Sequence, residues 1–77
     1  MQKIQFGFRY SKIFLKMNVF DENLVRNCIK DYIEFLKVEL VLGKKCFELE
    51  CRLVDNSMDL KKLSKEFLEY LEDNAYL

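Results

Sequence analysis

The chain has 77 residues, 51% of them hydrophobic and 34% charged, with 13 basic side chains against 13 acidic ones. So high an apolar fraction excludes a disordered tail, and a net charge of zero excludes a polycationic nucleic-acid arm. The absence of His removes the commonest general base and zinc ligand, and no Pro with only two Gly excludes collagen-like, linker and low-complexity classes. A chain of this length makes one domain, residues 1–77.

Ile4, Phe6, Phe8 and Tyr10 alternate with Gln5, Gly7 and Arg9, the period-two pattern of a half-buried strand. Ile13, Leu15, Met17 and Val19 alternate again, with the phase slipped by one. A turn at Ser11–Lys12 explains the slip and pairs Tyr10 with Ile13, Phe8 with Leu15, Phe6 with Met17 and Ile4 with Val19 on one face. Ser–Lys is poor chemistry for a two-residue turn, and one long bulged strand is the alternative. Asp21 reads as a helix N-cap, with Phe20 and Val25 as a hydrophobic staple. Val25, Cys28, Ile29, Tyr32, Ile33 and Leu36 recur at helical spacing and predict a helix over 22–36.

The second half repeats the plan. Val38, Leu40 and Leu42 alternate, and Gly43–Lys44 is a Gly-X turn signal. Phe47, Leu49, Cys51 and Leu53 then alternate, so that Leu40 pairs with Phe47 and Val38 with Leu49. Asp55, Asn56 and Ser57 are loop and cap residues before a second helix marked by Leu60, Leu63, Phe67, Leu71 and Ala75. Lys30-Asp-Tyr-Ile-Glu-Phe-Leu36 also matches Lys65-Glu-Phe-Leu-Glu-Tyr-Leu71, with three of seven positions identical. The expected fold is α+β, ββαββα: a four-stranded, mostly antiparallel sheet with both helices on one face, built from a duplicated ββα unit (3–37 and 38–77) around a shared core. Ile4 through Leu53 supply its inward strand side chains.

Chemistry is sparse. Cys28, Cys46 and Cys51 are an odd set for a disulfide framework, and Cys46 and Cys51, five apart on one strand, point to opposite faces. They read as small core hydrophobes in a reducing, cytoplasmic setting, with no metal and no cofactor. No nucleophile has a His base, and no phosphate loop or calcium loop is present, so no catalytic residues are assigned and the chain is not expected to be an enzyme. No apolar run approaches the length that crosses a bilayer, and the N-terminal residues lack signal-peptide features.

The outer sheet face offers Arg9, Phe14, Lys16, Lys37 and Arg52 against Glu39, Glu48 and Glu50, too few aromatics for a stacking platform. Lys3, Arg9, Lys12 and Lys16 nevertheless make the first twenty residues wholly basic, which allows indirect contact with RNA phosphates inside a larger assembly.

From residue 13 onward the order strand, helix, hairpin, helix resembles the small dimerising subunit, the Pcc family, of the KEOPS tRNA-modification complex. Asp59-Leu-Lys-Lys-Leu-Ser-Lys-Glu-Phe-Leu68 is similar to that family's last helix, with Lys61 in place of its arginine and Lys65–Glu66 in place of its asparagine-serine. The family's longer link between first helix and hairpin is absent, and the N-terminal strand is extra. This resemblance implies a non-catalytic subunit that bridges a dimer and docks a catalytic partner. Glu66-Phe-Leu-Glu-Tyr-Leu-Glu-Asp-Asn-Ala75 also resembles the C-terminal helix of HxsD-like accessory proteins of a peptide-modification system. The expected function is therefore a small interaction or dimerisation subunit, with a nucleic-acid-binding regulator as the rival.

A protein partner, giving a homo- or heterodimer, is expected on a strand edge or on the helix layer. The first strand has few guarding charges, and its Ile4, Phe6, Phe8 and Tyr10 are the candidate seam. Tyr70 and Tyr76 are the helix-side candidates.

Overall fold

The computed structural model describes residues 3–76. Its elements follow the order ββαββα: β1 (Lys3–Gly7), β2 (Tyr10–Lys16), α1 (Glu22–Asp31), β3 (Leu36–Leu42), β4 (Cys46–Leu53) and α2 (Leu60–Ala75). The strands form one antiparallel sheet in the order β1-β2-β4-β3, so β1 and β3 are its two edges. At the centre Ile13 faces Leu49 and Leu15 faces Phe47. All four are buried, and with Cys51 and Leu36 they make the sheet's contribution to the core. Val25 and Cys28 of α1, and Leu63, Phe67 and Leu71 of α2, cover that face.

Each helix begins where its chemistry dictates. The Asp21 carboxylate accepts from the N–H groups of Asn23 and Leu24, and Phe20 and Val25 on either side of this cap are both buried. The cap of α2 is Asp59, whose carboxylate accepts from the Lys62 N–H. Asp55 caps only its own turn, accepting from the Ser57 N–H at 3.0 Å.

Helix α1 is shorter than the periodicity predicts. It ends at Asp31, and a run of turns over 32–35 follows. Leu36 is a strand residue, fully buried opposite Leu53. Tyr32 keeps its inward place by packing its ring at a tilt against Phe67, with centroids 4.8 Å apart, whereas Ile33 is exposed.

Both hairpin registers differ from the sequence reading. In the first, Gly7 pairs with Tyr10 and the turn is Phe8–Arg9, so Ile4 faces Ile13 and Phe6 faces Ser11. Arg9 takes a left-handed φ of 64° to close this turn. Ser11 is not a turn residue but a buried strand residue, its hydroxyl 2.8 Å from that of Ser64 on α2. Tyr10 consequently points to the outer face, where its ring lies over Gly7 and a Cβ on that glycine would collide with it. Met17 and Val19, read as strand residues, belong to the β2–α1 connection.

In the second hairpin Leu42 pairs with Phe47 and Leu40 with Leu49, two residues away from the expected register. A shift of two leaves every side chain on its expected face. Gly43 lacks the left-handed φ of a two-residue Gly-X turn. It is needed because a Cβ there would lie 2.7 Å from the Cys46 carbonyl oxygen.

Candidate interaction surfaces

The first surface is the tip and outer edge of β1. Phe8 projects from the turn with 83% of its surface exposed, and Phe6 is 39% exposed. Lys61 lies over the Phe6 ring at 5.6 Å and Arg9 over the Phe8 ring at 5.1 Å, so each exposed aromatic carries a cation on one face. Ile4 packs half-buried against the core. Tyr10 is separated from this group by the pleat. It shares the outer face with Lys12 and Arg52, which approach its ring at 5.9 and 5.5 Å. Of the four strand candidates, the structure therefore groups Ile4, Phe6 and Phe8 and turns Tyr10 away.

The helix-side candidates lie elsewhere. Tyr70 is nine residues along α2 from Lys61, about 14 Å down the axis. Its hydroxyl donates to the Asp31 carboxylate at the end of α1, and its ring packs at a tilt against Tyr32, centroids 5.3 Å apart. That hydrogen bond holds the phenol protonated and raises its pKa, with burial adding to the effect. Tyr70 thus has an intramolecular role joining the two helices. Tyr76, the C-cap of α2, is two-thirds exposed with 67% of its surface accessible.

The opposite edge, β3, was not singled out by the sequence reading. Its far end carries Val41 and Leu42, exposed by 51% and 53%, and Phe35 just before it is 41% exposed. The signal was present in the sequence as the run Leu40-Val-Leu42, which has no charge to guard it.

Burial also shifts groups that face the core. Burial raises the Cys28 thiol, helped by Asp31, and pushes that of Cys51 up to about 11 against a partly offsetting Ser11 hydrogen bond. Burial likewise raises Tyr32, with Glu66 adding to it. All three cysteines are free thiols. Among the described residues no group of three or more His, Cys, Asp or Glu is placed to hold a metal ion. An open depression of about 490 Å³ lies at the sheet end between Lys16, Met17, Asn18, Lys45 and Cys46. No described helix is long and apolar enough to cross a membrane.

No protein-family model matches the chain, and neither the curated proteins nor the solved structures provide a match.

Proposed function

We propose that the chain is a small, non-catalytic interaction subunit of a multiprotein assembly, docking a partner along β1 and its turn. The observation that supports this most is Phe8, 83% exposed beside Phe6 at the end of an unpaired strand edge. Solvent-exposed aromatics next to open backbone donors and acceptors suit strand addition with ring anchors. The free thiols suit a reducing cytoplasmic location. The Pcc resemblance favours a KEOPS-type tRNA threonylcarbamoyladenosine assembly, and the HxsD resemblance a peptide-modifying one.

The test is affinity capture from native lysate with the wild-type chain and with Phe8→Ser, the co-purifying proteins being identified. A tRNA-modifying or radical peptide-modifying enzyme captured by the wild type and lost with Phe8→Ser is the expected result. A partner retained by Phe8→Ser but lost with Tyr76→Ser would move the surface to the helices.

One observation favours a second reading, a nucleic-acid-binding regulator. With Tyr10 turned outward, β2 presents Tyr10 and Phe14 on one face with Lys12 between them and Arg52 alongside. Glu48 and Glu50 occupy those cations at 3.3 and 3.0 Å, which weakens the reading. Salt-sensitive binding of single-stranded RNA, lost with Tyr10→Ala, would favour it.

A further inference from the structure

The geometry points to β3 as a self-pairing edge: two copies of this chain join antiparallel about a two-fold axis at Val38, extending the sheet from four strands to eight. The inference is independent of the β1 reading, because β1 and β3 are opposite edges.

Two hydrogen bonds to the neighbouring strand fix which backbone groups of β3 are free. Val54 N–H donates to the Phe35 carbonyl and Gly43 N–H donates to the Cys46 carbonyl, both at 3.0 Å. Odd-numbered residues of β3 therefore bond to β4, and the even-numbered ones turn their N–H and C=O groups outward. Leu36 N–H is taken by the Tyr32 carbonyl at 2.8 Å. This leaves the Leu36 carbonyl and both groups of Val38 and Leu40 as templates for another strand.

Charge then selects the partner and the register. Within the chain Lys37 lies opposite Arg52, and Glu39 lies opposite Glu50. Both are like-charge pairs, and neither Lys37 nor Glu39 has an ion-pair partner among the described residues. Placing Val38 opposite Val38 of a second copy sets Lys37 across from Glu39 of that copy, and Glu39 across from its Lys37. These fall at non-hydrogen-bonded positions, where side chains approach most closely. The same register sets exposed Val41 opposite exposed Phe35, and lets Leu40 N–H donate to the Leu36 carbonyl of the second copy. Moving the axis to Lys37 or to Glu39 would oppose Lys to Lys or Glu to Glu. The sequence from 35 to 41 is thus complementary to itself in one antiparallel register.

A strand edge is a small interface, so the dimer should dissociate on dilution. The test is sedimentation equilibrium from about 1 µM to about 1 mM, a range that spans weak self-association. The variants are Lys37→Glu, Glu39→Lys and the double exchange of both. Each single reversal gives the β3–β4 hairpin an opposite-charge pair, so the monomer stays folded, which far-UV circular dichroism confirms. The wild type should dimerise, each single reversal should weaken the dimer about tenfold or more, and the double exchange should restore it. A wild type that is monomeric throughout overturns the proposal. So does a dimer indifferent to the single reversals or not rescued by the double exchange.

Discussion

Ser11 on β2 and Ser64 on α2 bring their hydroxyls to 2.8 Å, with neither residue exposed to solvent. The pair locks the register of α2 over the central strand by giving each hydroxyl a strong partner in an interior whose only other polar contact to the Ser11 hydroxyl, among the described residues, is the Cys51 thiol. Ser64→Ala leaves the Ser11 hydroxyl only the weak contact with the Cys51 sulfur and should cost about 1–3 kcal/mol. The double change to Ala should cost less than the two single changes summed, because it leaves no hydroxyl short of its strong partner. Urea denaturation of the three variants measures this.

Phe67 and Phe20 are large side chains with essentially no exposure. Phe67→Ala should cost about 3–5 kcal/mol. For a chain this short that is most of the stability, so the variant should be largely unfolded near room temperature by circular dichroism. Ile33→Ala, at a residue of the α1–β3 connection that is 66% exposed, should change the melting temperature little.

The three thiols should separate by reactivity. Cys46 lies half-buried at the edge of an open depression, whereas Cys28 and Cys51 are buried with raised pKa. A disulfide reagent near neutral pH should modify Cys46 first, and the other two only at the rate of opening of the fold. Mass spectrometry of quenched samples distinguishes this from uniform labelling.

Stability should fall on the alkaline side. Cys51 rises from the ordinary 9.0 to about 11 in the fold, so the folded state holds its proton to higher pH than the unfolded chain does. A raised folded-state pKa contributes stability that is whole below about pH 9 and lost as pH climbs through about 11. The loss should approach ~3 kcal/mol, with Cys28 and Tyr32 shifted in the same sense. Denaturant midpoints measured across that range should decline, and Cys51→Ala should flatten the decline.

Much of the fold was legible because side-chain period constrains faces more tightly than it constrains register. The β3–β4 hairpin slipped by two residues, yet Leu40, Phe47 and Leu49 stayed on the expected face. The first hairpin was harder. Its turn, Phe8–Arg9, contains neither Gly nor Asn, and Arg9 bears the left-handed φ itself. What places that turn is one long-range contact, the Ser11 hydroxyl and its partner 53 residues away, and one cross-strand contact, the room Gly7 leaves for the Tyr10 ring. Side-chain alternation shows neither. The end of α1 was misplaced for a related reason, since Leu36 suits the apolar stripe of a helix and the core face of a strand equally well. The aromatic run of the first strand could be read from composition, but its alternation set Phe6 and Phe8 on the core face opposite Met17 and Leu15, whereas the observed register leaves Phe8 exposed in the turn. The self-complementary charges on β3 could not be read that way, because Lys37 and Glu39 become informative only once Arg52 and Glu50 are known to face them.

Gly7 also constrains how the β1 edge can be probed. A Lys at that position would displace the Tyr10 ring and perturb the hairpin itself. Gln5→Glu leaves that glycine intact and sets a carboxylate opposite Lys12; it should weaken partner capture while leaving the melting curve within about 0.5 kcal/mol of wild type.

The most direct test of the self-pairing edge is amide hydrogen exchange followed residue by residue at low and high protein concentration. Val38 and Leu40 point their N–H groups away from β4, so in the monomer they have no strand partner. Their exchange should slow as concentration rises, in step with the dimer population, while Ile4 and Phe6 on the far edge are unchanged. Fast exchange at Val38 and Leu40 at every concentration, or protection that appears on β1 instead, would rule out pairing at β3.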